Sequence, residues 1–209
     1  MQPESTGAWR DASAEEDREW VHQCQQGQEA GFEKLLRKYQ QAVFNLVYHN
    51  LGPRIDAEDV AQKIFAKVYF AIHKFDNNRP FFPWLYRIAI NQCHDELRRL
   101  RRSRLYTFTD LNLEEIERIE KLINQASPPA ATADEHQDLH ALLLKMLDRL
   151  NKQQRTALVL RDIEGVPYEK IAEIMKCSEQ AVRLKVFRAR ARLKNLVMKA
   201  LRRRESLRR

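Results

Sequence analysis

Six side chains near the end of this chain have the types and spacing to read duplex DNA: Gln180, Arg183, Lys185, Phe187, Arg188 and Arg190. Arginine forks reach guanine edges and phosphates, glutamine can pair with adenine, and an apolar side chain can touch a thymine methyl. Such side chains need a rigid rod under them. Val182, Val186, Ala189, Leu193 and Leu196 recur at helical spacing, so a turn of about 100° per residue puts Gln180, Leu184, Phe187 and Arg188 on the opposite side, with Arg183 and Lys185 flanking. Two large apolar residues on that side are unexpected for a merely solvated surface.

A second helical pattern, Tyr168, Ile171, Ala172 and Met175, precedes the first, and Lys176-Cys177-Ser178 separates them. This is helix-turn-helix spacing, with Ala172 where the helices approach and Ser178 suited to cap the second. Lys176 stands where the turn usually has glycine, so a left-handed backbone there would cost about 1 kcal/mol.

Charge placement supports a nucleic-acid partner. The chain has 209 residues and a net charge of +8, yet Arg183–Arg209 alone carries twelve basic residues and one acid, which leaves residues 1–182 slightly negative. One other basic cluster runs from Arg98 to Arg104. Basic segments release counterions from phosphates and bind without sequence preference.

Five glycines, seven prolines and few alternating apolar runs predict helices throughout. No stretch approaches the roughly 20 apolar residues of a membrane span, and the acidic start does not read as a signal peptide. Cys24, Cys93 and Cys177 are scattered and odd in number, which argues for a reducing compartment and a cytoplasmic protein. His136 and His140 share a helical spacing but have no third ligand nearby, so neither a metal nor a cofactor is expected. The absence of a phosphate-cradling loop, a Ser/His/Asp pattern or HExxH argues against an enzyme, and no catalytic residue is assigned.

The expected organisation is all-α, with two small helical domains joined by a flexible linker. Residues 1–19 read as an acidic tail, 20–104 as the first domain, 105–137 as an acidic, proline-containing linker with a short helix around Leu113 to Asn124, and 138–209 as the helix-turn-helix domain with its basic tail. In the first domain the pattern predicts a helix from Trp20 to His49, broken near Gly27 and Gly31. A second is capped by Asp56 and carries Val60, Ile64, Val68 and Ile72, and a third has Pro83 in its first turn. Of the aromatic residues Phe81, Phe82, Trp84 and Tyr86, most are expected in the core, Trp84 foremost. The linker acids could also shield basic surfaces.

Three segments in register carry a resemblance. Asp56-Ala57-Glu58-Asp59-Val60-Ala61-Gln62 with Phe65, then Trp84-Leu85-Tyr86-Arg87-Ile88-Ala89-Ile90-Asn91 with Asp95 and Arg98, then Tyr168-Glu169-Lys170-Ile171-Ala172 with Val182 and Arg188-Ala189-Arg190, resemble the bacterial extracytoplasmic-function sigma factors. The resemblance covers roughly residues 20–104 and 138–196, as sigma region 2-like and region 4-like domains. It implies a promoter-specificity subunit of RNA polymerase that also promotes initial DNA melting. Asp56, Asp59, Gln62 and Phe65 would bind core polymerase, Asn78, Arg79, Arg87, Asn91 and Arg98 the single-stranded minus-10 element, and the six residues of the recognition helix the minus-35 element. It also makes an anti-sigma factor plausible as a partner. Departures from the family pattern are Lys63 in place of an acid, and Ala181, Leu184 and Lys185 in the recognition helix. The residues themselves leave open a two-domain regulator of duplex operators that is no polymerase subunit, and a helical scaffold with an idle basic tail.

Overall fold

The computed structural model describes residues 14–52, 55–102, 113–124 and 133–207, all in helices and short turns. Helices α1 (Ala14–Gln25), α2 (Glu29–Leu51), α3 (Ala57–Ala71) and α4 (Phe81–Arg102) form the N-terminal bundle. Helix α5 (Leu113–Asn124) follows, then α6 (Ala133–Leu147), α7 (Lys152–Leu158), α8 (Tyr168–Met175) and α9 (Glu179–Leu207). The described end of the expected 1–19 tail is not tail: Ala14–Glu19 are the first turns of α1, and Asp17 is buried against Lys38 and Tyr39 of α2. Likewise α6 begins at Ala133, inside the stretch read as linker. The start of α1 escaped the pattern because its buried residues, Asp17, Val21 and Cys24, are few and lie among charges, so periodicity is weak.

The single break between α1 and α2 falls at Gly27, whose φ of +79° suits glycine. Gly31 lies inside α2 and breaks nothing. It lets α1 cross closely, since a Cβ there would sit 2.5 Å from the Trp20 carbonyl oxygen. Asp56 caps α3 as expected, accepting from the amides of Glu58 and Asp59 at 2.9 and 3.1 Å. Val60, Ile64, Val68 and Ile72 are all buried. In α4 the inward residues are Phe81, Phe82, Leu85, Tyr86 and Ala89. Trp84 is the least buried of the four aromatics, contrary to expectation: on the helix it falls beside the inward stripe, at the edge of a cluster with Phe75 and Phe81, centroids 4.7 and 5.5 Å away. Cys93 does lie in the core, where burial pushes its thiol up to about 12.

In the C-terminal part Asn151 caps α7 through a 2.9 Å bond from the Gln154 amide, and Ser178 caps α9 through a 3.2 Å bond from Ala181. The chain then continues α9 far beyond a recognition helix, to Leu207, and α5 lies along it with Ile116 and Ile119 buried. Of the linker acids, Glu115 meets Lys145 of α6 at 2.8 Å.

The helix-turn-helix does bend through a left-handed residue, Lys176, with φ 51° and ψ 51°. Glycine would relieve the Cβ crowding there, so Lys176→Gly is expected to stabilise the protein by about 1 kcal/mol in urea denaturation, with an unchanged slope.

The two bundles are packed against each other. One continuous apolar cluster includes Leu46, Val47, Leu51 and Leu85 of the first with Leu158, Leu160, Ile171 and Val186 of the second, and α4 lies beside α8. Polar contacts line the seam. Arg155, 3 % exposed, donates from Nε to the His49 carbonyl at 2.9 Å and pairs with Asp148. Thr156 donates to Asn50 Oδ1 at 3.2 Å, and its hydroxyl also meets the His94 ring at 3.2 Å.

Candidate nucleic-acid and polymerase interface

Helix α9 buries Val182, Val186 and Ala189, and this fixes what faces outward. Gln180, Arg183, Arg188 and Arg190 are exposed, Phe187 is 68 % exposed and Leu184 44 %. Lys185 is half-buried with Nζ 3.9 Å from Cys177 Sγ. Gln180, Arg183, Phe187 and Arg188 thus lie with Leu184 on the side away from the core, and Lys185 and Arg190 flank it.

Two of the arginines are already engaged. Arg183 donates to Glu179 Oε1 from Nε and Nη2 at 2.9 and 2.5 Å, and its guanidinium lies 4.2 Å from the Tyr168 ring centroid. Arg190 makes a fork to Asp162, at 2.9 and 2.6 Å, which holds the guanidinium above its ordinary pKa. Asp162 and Arg161 lie in a π-helical turn, Val159–Ile163, where the Glu164 amide bonds back five residues to Val159 O at 2.9 Å. Such turns re-aim side chains and are frequent at functional sites. The recognition-helix pattern holds no sign of these two residues, because they lie about twenty residues earlier and depend on the irregular turn.

In the N-terminal bundle the loop before α4 is organised by Asp76. Its Oδ1 accepts from the Asn78 amide and Nδ2 at 3.1 and 3.2 Å, and Oδ2 lies 3.3 Å from Arg79 Nε. Asn77 Nδ2 donates to Arg18 O at 3.0 Å and Gln25 Nε2 to Phe75 O at 2.8 Å, so α1 fastens this loop. Asn78, Arg79, Asn91 and Arg98 are exposed and Arg87 is half-buried; Arg87, Asn91 and Arg98 share one face of α4, and Arg98 pairs with Asp95. Side chains of the basic cluster beyond Arg99 lie outside the described residues, as do those of His136 and His140. Among the described residues no three His, Cys, Asp or Glu side chains gather as metal ligands.

Helices α2 and α3 leave an open apolar groove of about 880 Å³. Phe32, Leu36 and Phe44 line one wall, and Ala61, Gln62, Phe65, Tyr69 and Phe70 the other. Phe70 is 77 % exposed. Of the four residues expected to bind polymerase, Gln62 and Phe65 line this groove, whereas Asp56 and Asp59 do not. Asp56 is spent on capping, and Asp59 is 2.5 Å from Lys63, whose ammonium it holds above its ordinary pKa. The groove itself was not legible, since it depends on how α2 and α3 meet and not on the pattern of either helix.

Comparison with known proteins identifies the family. The family Sigma-70 region 2 matches residues 35–103 and Sigma-70, region 4 matches residues 140–193. The chain is 34% identical over 191 residues to the RNA polymerase sigma-H factor of Pseudomonas aeruginosa, covering 90% of this chain and 97% of that one. It is 33% identical over 190 residues to the ECF RNA polymerase sigma-E factor of Escherichia coli K12, with the same coverage. Among solved structures, CnrH in complex with the cytosolic domain of CnrY aligns with a TM-score of 0.64 at 24% identity, over 88% of this chain and 97% of that one. The sigma factor RpoE of Bartonella quintana, in complex with the anti-sigma factor NepR, aligns at 0.57 and 20% identity, over 80% and 96%. These two share the fold. The chain belongs to the sigma-70 family, as a sigma factor of the extracytoplasmic-function type.

Proposed function

We propose that this sigma factor docks on core RNA polymerase through the α2–α3 groove, with Gln62 and Phe65 in the contact and Asp59 at its margin. It holds the non-template strand of the minus-10 element with Asn78, Arg79, Arg87, Asn91 and Arg98. It reads the minus-35 duplex with Gln180, Arg183, Lys185, Phe187, Arg188 and Arg190. Melting then follows from binding a single strand better than the duplex, with no catalytic group or cofactor of its own. The cell compartment on this reading is the cytoplasm, and the family makes an anti-sigma factor a further partner.

The observation that carries the reading is the pairing of an uncovered apolar groove on one bundle with a basic helix exposing Phe187 and Leu184 on the other. An operator-binding regulator accounts only for the second. Reconstituted transcription with core enzyme on a promoter library is expected to give promoter-specific transcripts. Ala66→Arg together with Phe70→Asp, both at exposed groove positions, is expected to abolish them while duplex binding persists. Initiation indistinguishable from that of bare core enzyme sinks the proposal.

Asp162 competes with phosphates for Arg190. Asp162→Asn is therefore expected to raise affinity for random duplex DNA about two-fold and to steepen the salt dependence by up to about one charge, as read by fluorescence anisotropy over a salt series.

A further inference from the structure

Arg161 and Arg183 reach the same ring from different elements: their guanidinium carbons lie 4.6 and 4.2 Å from the Tyr168 centroid. Each has a second hold. Arg161 Nη1 donates to Val166 O at 3.1 Å, and Arg183 is forked onto Glu179. Two cations that share one ring repel each other. The π-electrons of the aromatic ring, the Val166 carbonyl and the Glu179 carboxylate offset that repulsion. Tyr168 itself is half-buried at the start of α8 and packs on the core, so the ring is anchored. An unheld arginine loses rotamer freedom on meeting DNA, whereas one already stacked and hydrogen-bonded loses less.

On the promoter-recognition reading above, we propose that Tyr168 is a positioning residue for duplex DNA, its ring setting Arg161 and Arg183 as a pair of pre-oriented cations beside the recognition helix. Arg161 thereby joins the duplex-binding residues, and Tyr168 acts through both.

The test uses the full chain, with anisotropy on a random-sequence duplex and on promoter duplexes selected by the wild-type holoenzyme, beside thermal unfolding. Tyr168→Leu removes the ring and keeps every charge. It is expected to weaken random-duplex binding about three-fold and promoter-duplex binding about ten-fold, with the slope against log salt lowered by up to about one charge. Tyr168→Phe keeps the ring and is expected to bind within two-fold of wild type. Arg183→Ala is expected to weaken binding clearly in the wild-type background and hardly at all in Tyr168→Leu, a coupling that simple loss of stability would not produce.

Wild-type affinities for Tyr168→Leu overturn the proposal. So does additivity of Tyr168→Leu with Arg183→Ala, or a loss explained by the unfolded fraction alone. A wild-type chain that fails to direct initiation sinks the sigma-site reading instead, and the random-duplex arm still decides the role of Tyr168.

Discussion

Arg155→Ala is expected to destabilise the protein by about 3–5 kcal/mol, the largest effect of any single change considered. The guanidinium is 3 % exposed, pairs with Asp148 and donates to the His49 carbonyl across the seam. Truncation leaves a cavity where the buried guanidinium packed, takes one partner from the half-buried Asp148 and strips the His49 carbonyl of a donor. Replacing both ionic partners should hurt less than replacing one, because no carboxylate that has lost its guanidinium then remains at the seam. Arg155→Ala with Asp148→Ala is thus expected to recover part of the loss. Urea denaturation followed by tryptophan fluorescence reads both variants. Stability within 1 kcal/mol of wild type for Arg155→Ala would show the seam to be energetically idle.

The second large effect depends on pH. Glu164 follows the π turn in a site where burial pushes its carboxyl from 4.5 up to about 7, and its charge bears on Tyr86 of α4, whose hydroxyl is held above its ordinary pKa by burial first and by that charge second. Between these two values the native protein keeps a proton that the unfolded chain has released, so stability falls as pH rises through this window. Above it the full penalty applies, and below it none. The penalty amounts to about 3 kcal/mol. Glu164→Gln carries no titrating proton and is expected to exceed wild type by up to that amount above neutrality and to match it below about pH 4. A constant difference across this range would contradict the assignment.

Much of the fold could be read from the chain because the signals were local. Asp56, Asn151 and Ser178 cap the helices they precede, and the Val182, Val186, Ala189 stripe fixed which side of α9 faces out. The helix expected around Leu113 to Asn124 occupies those residues. What stayed hidden depends on residues distant in sequence or on irregular backbone. Gly31 read as a breaker because its purpose, the approach of α1, is a tertiary fact. Trp84 read as the deepest aromatic because an aromatic cluster at a helix start is more often core, while its phase on α4 puts it at the edge. Phe32 and Leu36 fall on the same face of α2 as the buried Tyr39 and Val43, and only the position of α3 leaves them open as a groove. Arg161 and Asp162 depend on a five-residue hydrogen-bond offset that no periodicity announces.

The polar seam has a consequence for reach. Elements named minus-10 and minus-35 are separated by roughly 25 base pairs, about 80 Å of B-form helix. Bundles joined through Arg155, Asn50, Thr156 and His94 are too near each other to occupy both places at once. Any assembly that needs the halves apart selects only the parted population, so each ten-fold preference for the joined form weakens its apparent affinity ten-fold. A variant that weakens this joint can therefore be a poorer folder and a better binder.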